Sequence, residues 1–215
     1  GSVVQGNYIG TDFSGTIALP NSDTGVHLSN VQGTTIGGVA AGAGNIISGN
    51  GNHGVVVTGA GSASNQIQGN SIGLDMTGAG ALGNVSVGVR IGGGAHDNTI
   101  GGAVAGGGNL ISANGLDGVL LADAATRNNT VAGNLIGTDR TGTIDLGNTM
   151  SGVAISQADT NTIGGATIAE RNLISGNDLF GVIIAGAAAT ANTVQGNVIA
   201  ENAGSGVSLF GTPTG

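Results

Sequence analysis

The chain has 215 residues, 46 of them glycine, with no cysteine, no tryptophan, no lysine and a net charge of −8. Glycine at this level without a three-residue period excludes collagen, and the regular return of Val, Ile and Leu excludes a disordered chain. Four scattered arginines do not make the basic face that phosphate backbones require, so nucleic acid is excluded as a partner.

Gly1-Ser2 reads as a cloning remnant, and residues 3–215 as one repetitive domain. From Val3 onward the chain is built from three short strand-like phrases that recur in order. The first is Asn-x-x-x-Gly-Val-x-(Ile/Leu/Val), found seven times, beginning at Asn21, Asn50, Asn84, Asn114, Asn148, Asn177 and Asn202. Alternation with period two turns Val26 and Leu28 one way and His27 the other. The second phrase is Asn-x-(Ile/Val), as in Asn65-Gln66-Ile67 and Asn98-Thr99-Ile100, with Thr34 in the asparagine place of the first full unit. The third is again Asn-x-Ile, from Asn7-Tyr8-Ile9 to Asn197-Val198-Ile199.

Three strands per unit, one apolar side and polar corners predict an all-β fold, a right-handed parallel β-helix of about seven rungs. Rungs stacked at about 4.8 Å make a rod roughly 34 Å long. Stacking puts like residues over like. Ile36, Ile67, Ile100, Val131, Ile163 and Val194 form one inward column, and Ile9, Ile47, Ile72, Ile111, Ile136, Ile174 and Ile199 another. Corner asparagines are expected to form ladders, each amide donating to one neighbour and accepting from the other.

A longer period overlies the rung. GNYIGTD, GNSIGLD, GNLIGTD and GNVIAEN open at Gly6, Gly69, Gly133 and Gly196, so two rungs make one super-repeat. One rung of each pair carries a long corner, such as IGTDFSGTIALPN, and the other a short ISGN or ISAN; the last pair has only IAEN. A row of loops is therefore expected on one edge. The chain starts within a rung and ends after a first strand, which reads as a segment cut from a longer array.

Chemistry is sparse. Asp12, Asp75 and Asp139 recur in Ile-Gly-(Thr/Leu)-Asp and are the candidate ligand-binding residues. Glycoside hydrolysis needs two carboxylates about 5–9.5 Å apart, and two rungs separate these by roughly 9.6 Å. Their matching contexts argue against the divided acid and base roles that differing environments create. No catalytic residue is assigned. His27, His53 and His96 stand in unrelated places, and single aspartates do not supply the six to eight oxygens calcium takes, so no metal and no cofactor is assigned. Outward residues of the third phrase, Tyr8, Ile46, Ser71, Leu110, Leu135, Leu173 and Val198, make a mostly apolar stripe, which requires a covering loop or a partner.

The phrases NTIGG, GNIISGN, GVxI and QGNxIGTD resemble the parallel β-helix repeats of bacterial secreted and cell-surface proteins, over essentially residues 3–211. The resemblance implies the architecture of the pectin-lyase-like superfamily, which includes polysaccharide lyases, hydrolases and epimerases. Asp-Pro-His, Asp-Asp, Gly-His-Gly and Arg-Ile-Lys are all missing from the chain, so no site residue carries over. The expectation is a non-enzymatic, adhesin-like rod of an extracellular or cell-surface bacterial protein, its partners the neighbouring rungs of the parent. The alternative is a carbohydrate-binding or carbohydrate-active module with a groove under the long corners. Ice binding would need a flat, regular threonine array; threonine is expected at corners rather than as an outward strand column, so ice binding is not expected. No apolar run is long enough for a membrane helix.

Overall fold

In the computed structural model, which describes residues 1–211, the chain winds into a right-handed parallel β-helix with three sheets of seven strands each. Sheet I runs from Val3–Val4 through Thr35–Gly37, Gln66–Gln68, Thr99–Gly101, Thr130–Ala132 and Thr162–Gly164 to Thr193–Gln195. Sheet II runs from Tyr8–Ile9 through Ile46–Ile47, Ser71–Ile72, Leu110–Ile111, Leu135–Ile136 and Leu173–Ser175 to Val198–Ala200. Sheet III holds the Gly-Val phrase, from Val26–Ser29 to Val207–Phe210. The register is the one the phrases imply: Ile36 pairs with Ile67, Ile47 with Ile72, and Val26 with Val55. It also corrects the expectation that threonine stays at corners, because Thr35, Thr99, Thr130, Thr162 and Thr193 stack in one outward column of sheet I that only Gln66 interrupts. A single 3-10 turn, Ile168–Glu170, is the one helical element among the described residues.

The inward columns are the core. Ile36, Ile47, Ile67, Ile72, Ile100, Ile111, Ile136 and Ile163 are fully buried. With strands only two to four residues long, each rung buries few side chains, so cohesion depends on neighbours. Much of it comes from side-chain amides at three corners. One ladder links Asn7, Asn45, Asn70, Asn109, Asn134, Asn172 and Asn197. A second links Asn21, Asn50, Asn84, Asn114, Asn148, Asn177 and Asn202. A third runs from Asn65 through Asn98, Asn129 and Asn161 to Asn192, and the Thr34 N–H joins it by donating to Asn65 Oδ1.

Each rung of the first ladder repeats one pattern. Asn70 donates its N–H and its Nδ2 to Asn109 Oδ1, at 3.0 and 2.9 Å. The other Nδ2 hydrogen returns to the preceding rung, at Ile36 O. Every buried amide is thereby used at both ends, which is what burial of polar groups demands. Two further devices join rungs. The Ser48 and Ser112 hydroxyls of the short corners donate to Leu74 O and Thr138 O. His53 Nδ1 and Asp117 Oδ1, each just before the glycine of its phrase, accept the N–H of Val87 and Ser151 one rung on.

Candidate functional site

Two kinds of loop project around sheet II. The long corners follow its strands and fold back as small antiparallel turns, bridged at Thr11–Ala18, Leu74–Ala81 and Thr138–Asp145. Shorter loops precede its strands on the opposite side, at residues 38–44, 102–108 and 165–171, the first two rich in glycine. Long corners leave the rungs of Tyr8, Ser71 and Leu135, and these shorter loops enter those of Ile46, Leu110 and Leu173. The two lips are therefore staggered by one rung, and the outward face of sheet II becomes a floor between them.

That floor holds a cleft of about 560 Å3, lined by Val39, Ile46, Ser71, Leu110, Leu135 and Arg140 together with the glycines of the near wall. Its size lies within the range of small-ligand sites. The apolar stripe is largely covered, as the loop reading expects: Ile46, Ser71 and Leu110 are buried although they point away from the core. Close approach explains the cover. A Cβ at Gly78 would lie 3.1 Å from Leu110 Cδ2, and one at Gly142 would lie 2.8 Å from Leu173 Cδ2. Tyr8 and Val198, at the two ends of the stripe, stay exposed.

Asp12, Asp75 and Asp139 sit at the base of the three long corners and organise them. Asp12 accepts the Ser14 hydroxyl and the N–H groups of Thr16 and Ile17. Asp75 Oδ1 accepts the Thr77 hydroxyl at 2.6 Å and the N–H groups of Thr77, Gly78 and Gly80. Asp139 repeats the Asp12 pattern with Thr141, Thr143 and Ile144. The Ser14 hydroxyl holds the Asp12 carboxyl below its ordinary range. For Asp75 burial pulls upward, but the Thr77 hydroxyl and the loop N–H groups outweigh it and the pKa is lowered. The Ile144 N–H, aided by the Thr141 hydroxyl, holds Asp139 at about 2. All three are ionised at neutral pH and none lines the cleft. They recur along one edge, each engaged within its own loop, and no three acidic or histidine side chains converge among the described residues.

Two polar groups escaped the sequence reading as a pair. Ser71 Oγ, on the cleft floor, and Thr138 Oγ1 are buried without a hydrogen-bond partner. Arg140 leaves the third long corner and reaches back to the second, where its Nε donates to Thr77 O at 3.4 Å. Their signal in the sequence is a break in period: Ser71 interrupts an aliphatic column, and Arg140 stands where the other long corners carry Phe13 and Met76. Elsewhere Arg90 pairs with Asp123 at 2.8 Å, and His96 Nδ1 lies 2.7 Å from Asp97. Burial, and then the charge of Arg90, push the His53 pKa down, while burial raises that of Asp117.

Three stacked parallel sheets, asparagine ladders and a cleft walled by corner loops define a β-helix protein of the pectin-lyase-like kind. The chain belongs to the NosD family, described as periplasmic copper-binding protein, whose family model matches residues 14–214. Among solved structures it is similar to the A-module of the mannuronan C-5 epimerase AlgE4 of Azotobacter vinelandii, with 15% identity, a TM-score of 0.54, and coverage of 88% of this chain and 50% of that one. It is also similar to a variant of the periplasmic alginate epimerase AlgG, with 16% identity, a TM-score of 0.52, and coverage of 98% and 45%. The chain thus spans about half the length of each. At these identities the likeness shows the fold. A search of curated proteins gave no match.

The family description implies copper, and the residues present do not fit it. Copper sites draw on thiolates, thioethers and imidazoles gathered at one point. The chain has no cysteine, and no three His, Asp or Glu side chains converge among the described residues. Met76 Sδ lies 3.9 Å from Tyr8 OH, an oxygen outside that donor set. His53 Nδ1 is taken by the Val87 N–H and His96 Nδ1 by Asp97. Among the described residues no helix is long and apolar enough to cross a membrane.

Proposed function

We propose that this chain is a non-enzymatic, glycan-binding segment of an extracytoplasmic β-helix rod, with an extended polysaccharide lying along sheet II between the staggered lips. The cleft is the observation that carries this reading. Its floor repeats once per rung, at about 4.8 Å, close to the advance of one pyranose unit in an extended chain, so successive sugars meet equivalent surfaces. Glycines on the near wall let a chain approach the backbone. Arg140 is the one ionisable residue in the lining, so the paired acid and base of glycosyl chemistry have no counterpart there, and the groove is suited to holding a chain rather than cleaving it. The two structural neighbours, a mannuronan C-5 epimerase and an alginate epimerase, support the compatibility of this scaffold with polysaccharide. The family description supports a location outside the cytoplasm; display at the cell surface, and stacking on further rungs of a longer parent, belong to the proposal.

A purely structural rod is the second reading. It is favoured by Asp12, Asp75 and Asp139, whose carboxylates are occupied in closing their own loops. Titration calorimetry with a panel of neutral and acidic oligosaccharides separates the two readings. Binding that is lost in Ala41→Trp, which fills the cleft from its exposed wall without touching the core, supports the groove. No heat with any oligosaccharide supports the rod.

A further inference from the structure

We infer that Ser71 and Arg140 together form a subsite for a single acidic group, a carboxylate or a sulfate ester, carried on the glycan; this rests on the groove reading above. The first support is place. Ser71 pairs in register with Leu110, and Leu110 with Leu135, across three adjacent rungs of sheet II. Arg140 starts in the corner after the Leu135 strand and reaches back over Leu110 to the loop of the Ser71 rung. A Cβ at Gly78 would meet Arg140 Nε at 2.9 Å and Leu110 Cδ2 at 3.1 Å. The guanidinium therefore lies over the Leu110 side chain, about one rung spacing, roughly 5 Å, from the Ser71 strand.

The second support is unspent hydrogen-bonding capacity. The Ser71 side chain is 4% exposed and its hydroxyl has no partner. A buried hydroxyl in that state costs stability for no structural return. Arg140 uses only its Nε, weakly, on Thr77 O, and it makes no ion pair among the described residues. Its terminal nitrogens can donate and cannot accept. The Ser71 hydroxyl and the Arg140 guanidinium each have a donor to spare at this floor, which suits a ligand that is rich in acceptors. A planar or trigonal anion suits the guanidinium fork best. The third support is singularity. Both residues replace aliphatic, aromatic or thioether side chains in their columns, and both replacements fall at one point along a rod about seven rungs long.

Ser71 Oγ is shielded by its neighbours, so a ligand atom must displace part of the lining. Arg140, long and exposed, is the residue placed to swing aside and close again over the bound group. The overall charge of −8 opposes a densely charged polyanion. The favoured ligand is accordingly a glycan with isolated acidic units rather than a fully charged one.

The test uses three oligosaccharides of equal length at about 0.15 M salt, where long-range repulsion is screened beyond about 8 Å. They are a neutral cello-oligomer, the same oligomer with one glucuronate unit, and the same oligomer with one sulfate ester. Calorimetry is expected to show the acidic ligands bound about tenfold or more tightly than the neutral one, the usual scale for a charge-assisted pair. Arg140→Gln should erase that preference, bringing the acidic ligands down to the affinity of the neutral oligomer. Ser71→Ala should weaken the acidic ligands several-fold with no loss of Tm, an outcome that a structural serine would not give. Comparing the two acidic ligands names the group. Equal binding of neutral and acidic oligomers, or a preference that survives Arg140→Gln, overturns the subsite while leaving the groove. Absence of binding by all three overturns the groove itself.

Discussion

Asn109 sits at the centre of the first ladder and offers the sharpest test of what joins the rungs. Its Oδ1 accepts Asn70 N and Nδ2 at 3.0 and 2.9 Å, and its Nδ2 donates to Ile67 O at 2.7 Å and Asn134 Oδ1 at 3.0 Å. Asn109→Leu keeps the branching at Cγ and the number of side-chain heavy atoms and removes all four bonds. At about 1 kcal/mol net for each, the loss is about 4 kcal/mol. Burying a leucine returns about 1–2 kcal/mol of that, because the site is already closed to water. The Asn70 N–H remains as a buried donor with nothing to bond, which costs about 1–3 kcal/mol by itself. The balance is a destabilisation of about 3–6 kcal/mol, a large share of the stability of an ordinary domain.

Repeat arrays do not unfold in one step, so amide exchange is the better assay. Protection of the Asn70 amide should drop about 100- to 10,000-fold in Asn109→Leu, with smaller changes two rungs away. Asn109→Asp gives the electrostatic control. Its carboxylate faces the acceptors Ile67 O and Asn134 Oδ1, so its folded-state pKa is raised. Its stability should therefore be lowest at neutral pH and recover as the pH falls through that pKa. A leucine variant within about 0.5 kcal/mol of the parent, with Asn70 still protected, would refute the ladder as the source of cohesion.

Thr138 occupies the place held by the fully buried Leu74 two rungs earlier, yet its hydroxyl is unpartnered; Thr138→Val should raise stability by about 1 kcal/mol in thermal unfolding. Gly101 has φ +88° and a Cβ there would meet Ala132 O at 2.0 Å, whereas Gly42 has φ +79° and open space around it. Gly101→Ala should therefore cost about 3 kcal/mol or more, and Gly42→Ala only about 1 kcal/mol, read by the same melts. His53 accepts the Val87 N–H at Nδ1 and so must be neutral there, with a pKa below 6.5. The unfolded chain then takes up the proton first, and stability falls as the pH drops from about 6.5 through the native pKa. His53→Asn, which keeps an acceptor, should flatten that slope.

The fold was open to reading because a solenoid repeats its physical requirements in every rung. An inward Ile, a corner Asn and a turn Gly recur together, and the second and third phrases need the same residues for the same reasons. The Thr34 exception was legible as well, since its backbone N–H alone can join the ladder. The long corners announced themselves by length. Their aspartates read as sites because carboxylates at regular spacing have the look of chemistry. The structure shows what each one holds: three or four short donors within its own loop. The glycine-rich lip could not be seen as a lip, because nothing in GGVAAGAG states which side of the strand it shields. That depends on where the next rung's long corner emerges.

The same repetition dictates where function has to be sought. In a globular core each side chain answers to a different environment, so a polar residue among apolar ones is often a packing compromise. In a stacked column the neighbours above and below supply the control. Ile46, Leu110, Leu135 and Leu173 show that the outward face of sheet II is satisfied by an aliphatic side chain. Serine at position 71 therefore meets no demand of the scaffold, and its idle hydroxyl is a cost that every other rung avoids. Arginine at position 140 stands in the same relation to Phe13 and Met76. When two such departures converge on one cleft, the scaffold has no further claim on them, and the proposed ligand is the one whose acceptors match the donors they leave spare.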